Sequence, residues 1–473
     1  MVFSSLVFLF LFLAIHLFVY HMVDERYRNV VLLVSSLIFY SWGGPRYLVL
    51  LMGNTLASWG FALLIQRSDS PGKRKLWLVA ECVVLLGVLG IFKYLGFFCE
   101  NLQALFGVPE LIPEIVLPIG ISFYTFQLIS YVVDVYLGEI DAQPNYWKLL
   151  LYSSLFHQCI AGPIVRYQTV EAQIDERRPT KNDIYYGVRR FSIGLAKKAV
   201  LANSCASVAD TLLPIGEAGL ATQTTTGYWL GMLFFALQIY LDFSAYSDMA
   251  IGMGRMVGFR YLENFNYPYQ AVSIQDFWRR WHISLSSFFR DYVYIPLGGS
   301  RCSTVKYVRN IFIVWFLTGM WHGASWNYIL WGLYFAVFLL LEKFVIRDRM
   351  PRALGHVYAL VVVYFGWVLF KFENFAELGM VIAGMFGLAG GGFTGLEVHT
   401  LFLQNIFLML FCFIACTELG KRLHKALFDA AQHNDVLLAV YGITEAITPV
   451  ILLVIAVAAL AGASYNPFIY FQF

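Results

Sequence analysis

Two histidines in this chain of 473 residues sit where an imidazole is both costly and useful. His322 lies in LTGMWHGASWNYILWG (317–332), with no formal charge between Arg309 and Glu342. On a helix, Thr318, Ser325 and Trp326 fall at i−4, i+3 and i+4 from it, and Trp321 and Gly323 flank it. Gly319 and Gly323 are four apart, which leaves one helix side nearly flat for another backbone or a substrate chain to approach. His282 lies forty residues earlier, in SIQDFWRRWHISLSSFFRDYVYIPLGGSR (273–301). Read as one helix, this stretch puts His282, Ser286 and Arg290 on one face at i, i+4 and i+8. Trp278 and Trp281 then form an aromatic wall, and Asp276 reaches Arg280 four residues on. Ser273 followed three residues later by Asp276 is a variant capping box that starts the helix, and Pro296, Gly298 and Gly299 end it. The same stretch also reads as an amphipathic interfacial helix with Arg and Trp at headgroup level, which explains its arginines and tryptophans better than its His282 face.

An imidazole accepts and returns a proton near neutrality. Set in an apolar surround it can take the proton of a hydroxyl attacking a thioester, which is acyl transfer. It can equally relay protons or hold a solute in a transporter, and a plainer alternative, a packing contact to a neighbouring helix, carries about half the weight for a lone membrane histidine. A third polar cluster, Asp242, Ser244, Ser247 and Asp248 in LQIYLDFSAYSDMAIG (237–252), either lines a pathway or forms a buried ion pair, with an arginine from elsewhere as the expected partner of Asp242. Transporters more often show repeat symmetry and paired broken helices, and the chain shows no repeat.

The elements that must carry these residues are set by composition. Hydrophobic residues make up 59% of the chain and charged residues 13%, against about 25% charged in a soluble domain. So few charges cannot cover a soluble surface of this size, and 18% aromatic residues suit lipid-facing and interfacial positions. A net charge of +3 and the lack of a basic, aromatic-interleaved run argue against nucleic acid. The seven cysteines form no C-x-x-C pair or metal-spaced cluster, so no metal is expected. The reading is an all-α polytopic membrane protein, one domain over 1–473, with about 10 to 12 spans plus re-entrant pieces. Candidate spans are 2–22, 29–43, 46–66, 76–98, 115–137, 146–162, 185–212, 224–258, 308–345, 353–390, 401–417 and 438–462. Segment 146–162 is a re-entrant candidate, and 308–345 is long enough for two helices broken around Gly319 and Gly323. The first run lacks a basic n-region and a cleavage site, and is read as an uncleaved span. Basic loops at 67–75, 165–190, 346–352 and 420–425 are placed in the cytoplasm, the Lys/Arg-free 99–114 and the N-terminus outside.

Several blocks together carry a resemblance. FYSWGGPRYL (39–48), LPIGISFYTFQLISYVVDVYLG (117–138), FHQCIAGPIVRY (156–167), LQIYLDFSAYSDMAIG, NFNYPYQAVSIQDFWRRWHISLSSFFRDYVYIPLGG (264–299), GMWHGASWNYILWGLYF (319–335) and the terminal NPFIYFQF resemble the membrane-bound O-acyltransferase (MBOAT) superfamily, within it the alginate O-acetyltransferase AlgI-like group. The resemblance implies a membrane fold around a central tunnel, a catalytic core at about 117–345, and His322 with His282 in the reaction centre. It implies lining by Trp278, Trp281, Ser286, Trp321, Trp326, Asn327 and Asp242, with Arg279, Arg280 and Arg290 as donor-phosphate ligands or membrane anchors. It further implies acetyl transfer from a cytoplasmic donor, acetyl-CoA, across a bacterial inner membrane to an SGNH-type periplasmic acetyltransferase in a polysaccharide biosynthesis complex. The related branch that transfers D-alanine to a cell-envelope polymer is the alternative, a transporter the more remote one.

Overall fold

A computed structural model describes residues 2–107, 115–159, 162–346, 350–388, 390–463 and 466–467. Part of the 99–114 loop, part of the 346–352 loop and most of the NPFIYFQF ending lie outside the described residues. Every regular element among the described residues is helical. Helices suit a bilayer, because a helix satisfies its own backbone hydrogen bonds. The contacts group the chain into two units, one of residues 1–188, 250–263 and 287–296, the other of residues 189–249, 264–286 and 297–473.

The first unit contains α1 (Phe8–Met22), α2 (Arg28–Ser41), α3 (Pro45–Arg67), α4 (Pro71–Phe106), α5 (Ile121–Leu137), α6 (Tyr146–Ser154), α7 (Phe156–Cys159) and α8 (Tyr167–Glu176). Helix α4 runs well past the expected span of 76–98 and takes in half of the segment read as an outer loop; Gly107, with φ +65, ends it as a left-handed cap. Only 11% of its most apolar window is buried, so its surface suits lipid. The re-entrant candidate at 146–162 is two short helices, α6 and α7, broken at Leu155 and packed inside the unit. His157 is wholly buried there, its Nδ1 2.7 Å from the Tyr261 hydroxyl, a structural contact within an aromatic cluster.

The chain continues through α9 (Lys181–Ala196), α10 (Asn203–Leu212), α11 (Glu217–Ala221) and the long α12 (Thr225–Met256). Helix α12 is the internal one: 89% of its most apolar window is buried. A Cβ on Gly194 of α9 would stand 2.7 Å from the Ala245 carbonyl of α12, so the two backbones touch. Then come α13 (Ile274–Arg280), α14 (Ile283–Phe289), α15 (Thr304–His322), α16 (Trp326–Leu341), α17 (Arg352–Lys371) and α18 (Phe375–Met385). The last are α19 (Leu396–Gln404), α20 (Ile406–Ala415), α21 (Leu419–Ala431) and α22 (Asp435–Gly462). By length and apolarity, six described helices can cross a membrane, α19 with α20 forms a seventh bent by 56°, and α1, α5 and α18 are shorter apolar helices. The protein is therefore a multi-pass membrane protein.

Two local readings are corrected. The stretch 273–295 is not one helix. Residues 281–282 break it, His282 adopting φ +44, and residues 290–294 are π-helical. The expected face of His282, Ser286 and Arg290 does not exist. The other correction concerns α15, which ends at His322, so Ser325 and Trp326 belong to the start of the next helix rather than to the His322 face.

Candidate active site

His322 is the last residue of α15, and a break of three residues turns the chain back into α16. The hairpin closes on glycine. A Cβ on Gly319 would meet the Tyr328 carbonyl at 2.3 Å, and one on Gly332 would meet the Trp315 carbonyl at 2.2 Å. Such contact is available only without side chains, and dispersion between the touching backbones holds a helix pair where lipid offers no hydrophobic gain. A Cβ on Gly323 would stand 2.3 Å from the ring of Tyr328. Both glycines of the G-x-x-x-G stretch are thus used for packing against α16, and the space read as clearance for a substrate chain is filled by the protein itself.

That packing places the imidazole of His322 in an aromatic enclosure. Its ring stands edge-on to Trp321 (5.0 Å between centroids), Trp331 (4.8 Å) and Phe370 of α17 (5.3 Å). His322 is buried, and Trp331 is wholly so. The indole N–H of Trp331 and that of Trp278 are buried without a hydrogen-bond acceptor among the described residues. Buried donors are usually paired, so each of the two is able to serve an acceptor.

His282 enters the same wall from the other helix break. Trp321 lies edge-on to it at 5.8 Å, as it does to His322, so one indole serves both imidazoles. A left-handed backbone costs a non-glycine residue on the order of 1–3 kcal/mol and persists where its surroundings over-determine it. Here the clamp is Asn264. Its carbonyl accepts from the Ile283 amide at 2.9 Å, and its Oδ1 accepts from the Ser284 amide and hydroxyl at 3.1 and 2.9 Å. Its Nδ2 donates to Ser247 of α12 at 3.2 Å, and Asn266 binds the Arg280 carbonyl at 2.9 Å. The Ser284 hydroxyl lies 3.4 Å from His282 Nδ1. At the other end of α13 the expected cap is present: Ser273 accepts from the Asp276 amide at 3.0 Å, and Asp276 reaches back to the Val272 amide at 3.2 Å.

The remaining expected residues divide. Trp321 lies between the histidines. Trp278 packs at 4.7 Å on Trp315 and 4.9 Å on Phe335, behind Trp331. Trp281 is wholly buried among Phe265, Phe277 and Trp367, in the layer's interior. Ser286 is half-buried on α14, 3.5 Å from the Trp281 carbonyl. Trp326 is exposed at the start of α16. Asn327 is wholly buried and spends its amide on the carbonyls of Leu369 and Phe370, fixing the turn of α17 that carries Phe370. Asp242 does pair, with a lysine instead of an arginine: Lys198 at 2.8 Å, both buried. Lys198 also donates to the Pro467 carbonyl. Asp248 holds Arg190 and Lys197 at 2.6 Å each. Arg280 binds Asp276 at 2.8 Å, Arg279 is exposed, and Arg290 binds its neighbour Asp291 at 2.6 Å. Sequence reasoning missed Trp331, Phe370 and Asn264. Trp331 and Asn264 stand inside the quoted motifs, but only tertiary contact marks them out.

The buried histidine pair, the shared indole and the unpaired indole donors suit a group transfer shielded from water. Residues 138–382 match the family model described as MBOAT, membrane-bound O-acyltransferase family. The chain is 39% identical, over 100% of both chains, to an Azotobacter vinelandii protein named "Probable alginate O-acetylase AlgI". It is 42% identical to the Pseudomonas aeruginosa protein of the same name, over 87% of this chain and 81% of that one. A teichoic acid D-alanyltransferase of Bacillus subtilis is more distant, 28% identical over 54% of this chain and 68% of that one. His282, His322 and the helices that carry them fall inside the matched region, and the protein with this site belongs to the membrane-bound O-acyltransferase family.

Proposed function

We propose that the protein moves acetyl groups from a cytoplasmic thioester, acetyl-CoA, across the inner membrane for O-acetylation of an exopolysaccharide such as alginate. The observation that carries the reading is the enclosure of His322 at a helix end, sharing Trp321 with the conformationally constrained His282. Full-length similarity to proteins named alginate O-acetylases supports the acetyl group and the polymer class over D-alanyl transfer. The excess of Lys and Arg in the loops named above supports a periplasmic N-terminus.

In this mechanism His322 takes the proton of the acceptor hydroxyl as its oxygen attacks the thioester carbonyl. The tetrahedral oxyanion is stabilised by hydrogen bonding from His282, and the N–H of Trp331 is a further donor of the right kind. The C–S bond then breaks, and the thiolate takes the proton held by His322. Trp321 walls the passage, Trp278 and Trp281 back it from the core, and Trp326 stands at the exposed start of α16. Of Arg279, Arg280 and Arg290, Arg279 is the candidate for the donor's phosphates; Arg280 and Arg290 are less so because Asp276 and Asp291 already engage them. The acceptor is an SGNH-type periplasmic acetyltransferase of a polysaccharide biosynthesis complex.

Acetyl transfer measured in membranes carrying His322→Ala, at matched protein level, tests the central role. Loss of transfer with normal abundance is expected. Full retained activity overturns it, and loss that merely tracks lost protein assigns His322 to packing.

A further inference from the structure

A cavity of about 900 Å³ opens within the second unit, lined by α12, α13, α17, α20 and α21. Along α17 its lining changes character. Arg352 and His356 occupy the first two turns, followed by Leu360, Val363, Tyr364 and Trp367. At about 1.5 Å per residue, Arg352 to Trp367 spans about 22 Å, the length scale of one lipid molecule from headgroup to mid-bilayer. Arg280 and Arg422 join the lining, from α13 and α21. Leu233 and Leu237 of α12 and Phe413 of α20 complete the apolar wall. Three guanidiniums thus line the cavity, with Arg422 bound to Glu418 at 3.1 Å and Arg280 to Asp276 at 2.8 Å.

We infer that this cavity holds one anionic phospholipid, its phosphate at Arg352 and Arg422 and an acyl chain along α17 as far as Trp367. Charge complementarity selects the headgroup, because basic pockets between membrane helices recognise anionic lipid. The walls beyond the first turns are aliphatic and aromatic. They suit a hydrocarbon chain and give a nucleotide donor few polar partners. The basic segment 346–352 ends at Arg352, and the basic segment 420–425, which lies in α21, holds Arg422; both carry the lysines and arginines expected on the cytoplasmic side. A chain reaching Trp367 would touch the back of the catalytic layer, since Trp367 packs on Trp281 at 4.8 Å and Phe370 at 5.7 Å. The inference stands apart from the identity of the acyl donor.

The full-length protein, purified in detergent and offered phosphatidylglycerol or phosphatidylethanolamine, is examined by native mass spectrometry for retained lipid. Wild type should retain phosphatidylglycerol about tenfold more strongly, and Arg352→Ala/Arg422→Ala should abolish that preference. Leu360→Trp, which fills the apolar half and leaves the guanidiniums, should reduce retention of both lipids alike. Equal retention of the two lipids by wild type overturns the inference. So does an unchanged preference in a folded double variant, or displacement of phosphatidylglycerol by acetyl-CoA, which would assign the cavity to the donor.

Discussion

Gly319→Ala is a test of how the hairpin positions the imidazole. The added methyl carbon would start 2.3 Å from the Tyr328 carbonyl oxygen, where ordinary contact begins at 3.4 Å. The obstacle is backbone, so relief requires α15 and α16 to separate locally by about 1.1 Å, the difference of those two distances. Overpacking of this kind costs about 1–3 kcal/mol. His322 is three residues further along the same helix, so it moves with the displaced segment. A misplacement of about 1 Å in a reacting group costs about 10²-fold in rate. The expected outcome is therefore a loss of about two orders of magnitude in acetyl transfer, with a lowered melting temperature in detergent and normal membrane insertion. Gly87→Ala, at an exposed position of α4 with no neighbour within 4 Å, is the control and should leave both quantities unchanged. Wild-type turnover and melting temperature in Gly319→Ala would refute the argument. Unchanged stability with altered acyl-chain preference would restore the alternative, in which the glycines give clearance to the substrate.

Three further outcomes are expected. His282→Asn keeps a residue that tolerates left-handed backbone, so the fold should survive in thermal unfolding while acetyl transfer drops by about 10²–10⁴-fold. Lys198→Met leaves Asp242 buried without its cation and should destabilise by about 3–5 kcal/mol in denaturant unfolding; adding Asp242→Leu should recover most of that loss. Outside the spans, burial tends to raise the Asp183 carboxyl, but the Thr180 hydroxyl and amide with Arg255 and Arg260 outweigh it and hold its pKa below the usual value. A group depressed in this way stabilises the fold above the ordinary carboxylate range and loses that contribution as pH falls through its own pKa. The melting-temperature gap between wild type and Asp183→Asn should therefore be full at neutral pH and close in acid.

The sequence by itself determined the class of protein and the membrane, and it singled out His282 and His322 as candidates. These follow from quantities that local composition carries: too few charges to cover a soluble surface, apolar runs of spanning length, and imidazoles set inside them. It also placed the break near Gly319 and Gly323, because two helices were needed to use so long an apolar run. It was blind where a local pattern was overridden from outside. The period through His282, Ser286 and Arg290 is helical, yet Asn264 and Asn266, remote in the chain, bind both flanks of the break and hold His282 left-handed. The same glycines look open in sequence and are filled in space, because only the reversal of α15 into α16 brings Tyr328 and Trp315 onto them. The enclosure of His322 by Trp331 and Phe370 is likewise a product of folding: residues 9 and 48 positions further on in the chain come within ring contact only once the hairpin and α17 are packed.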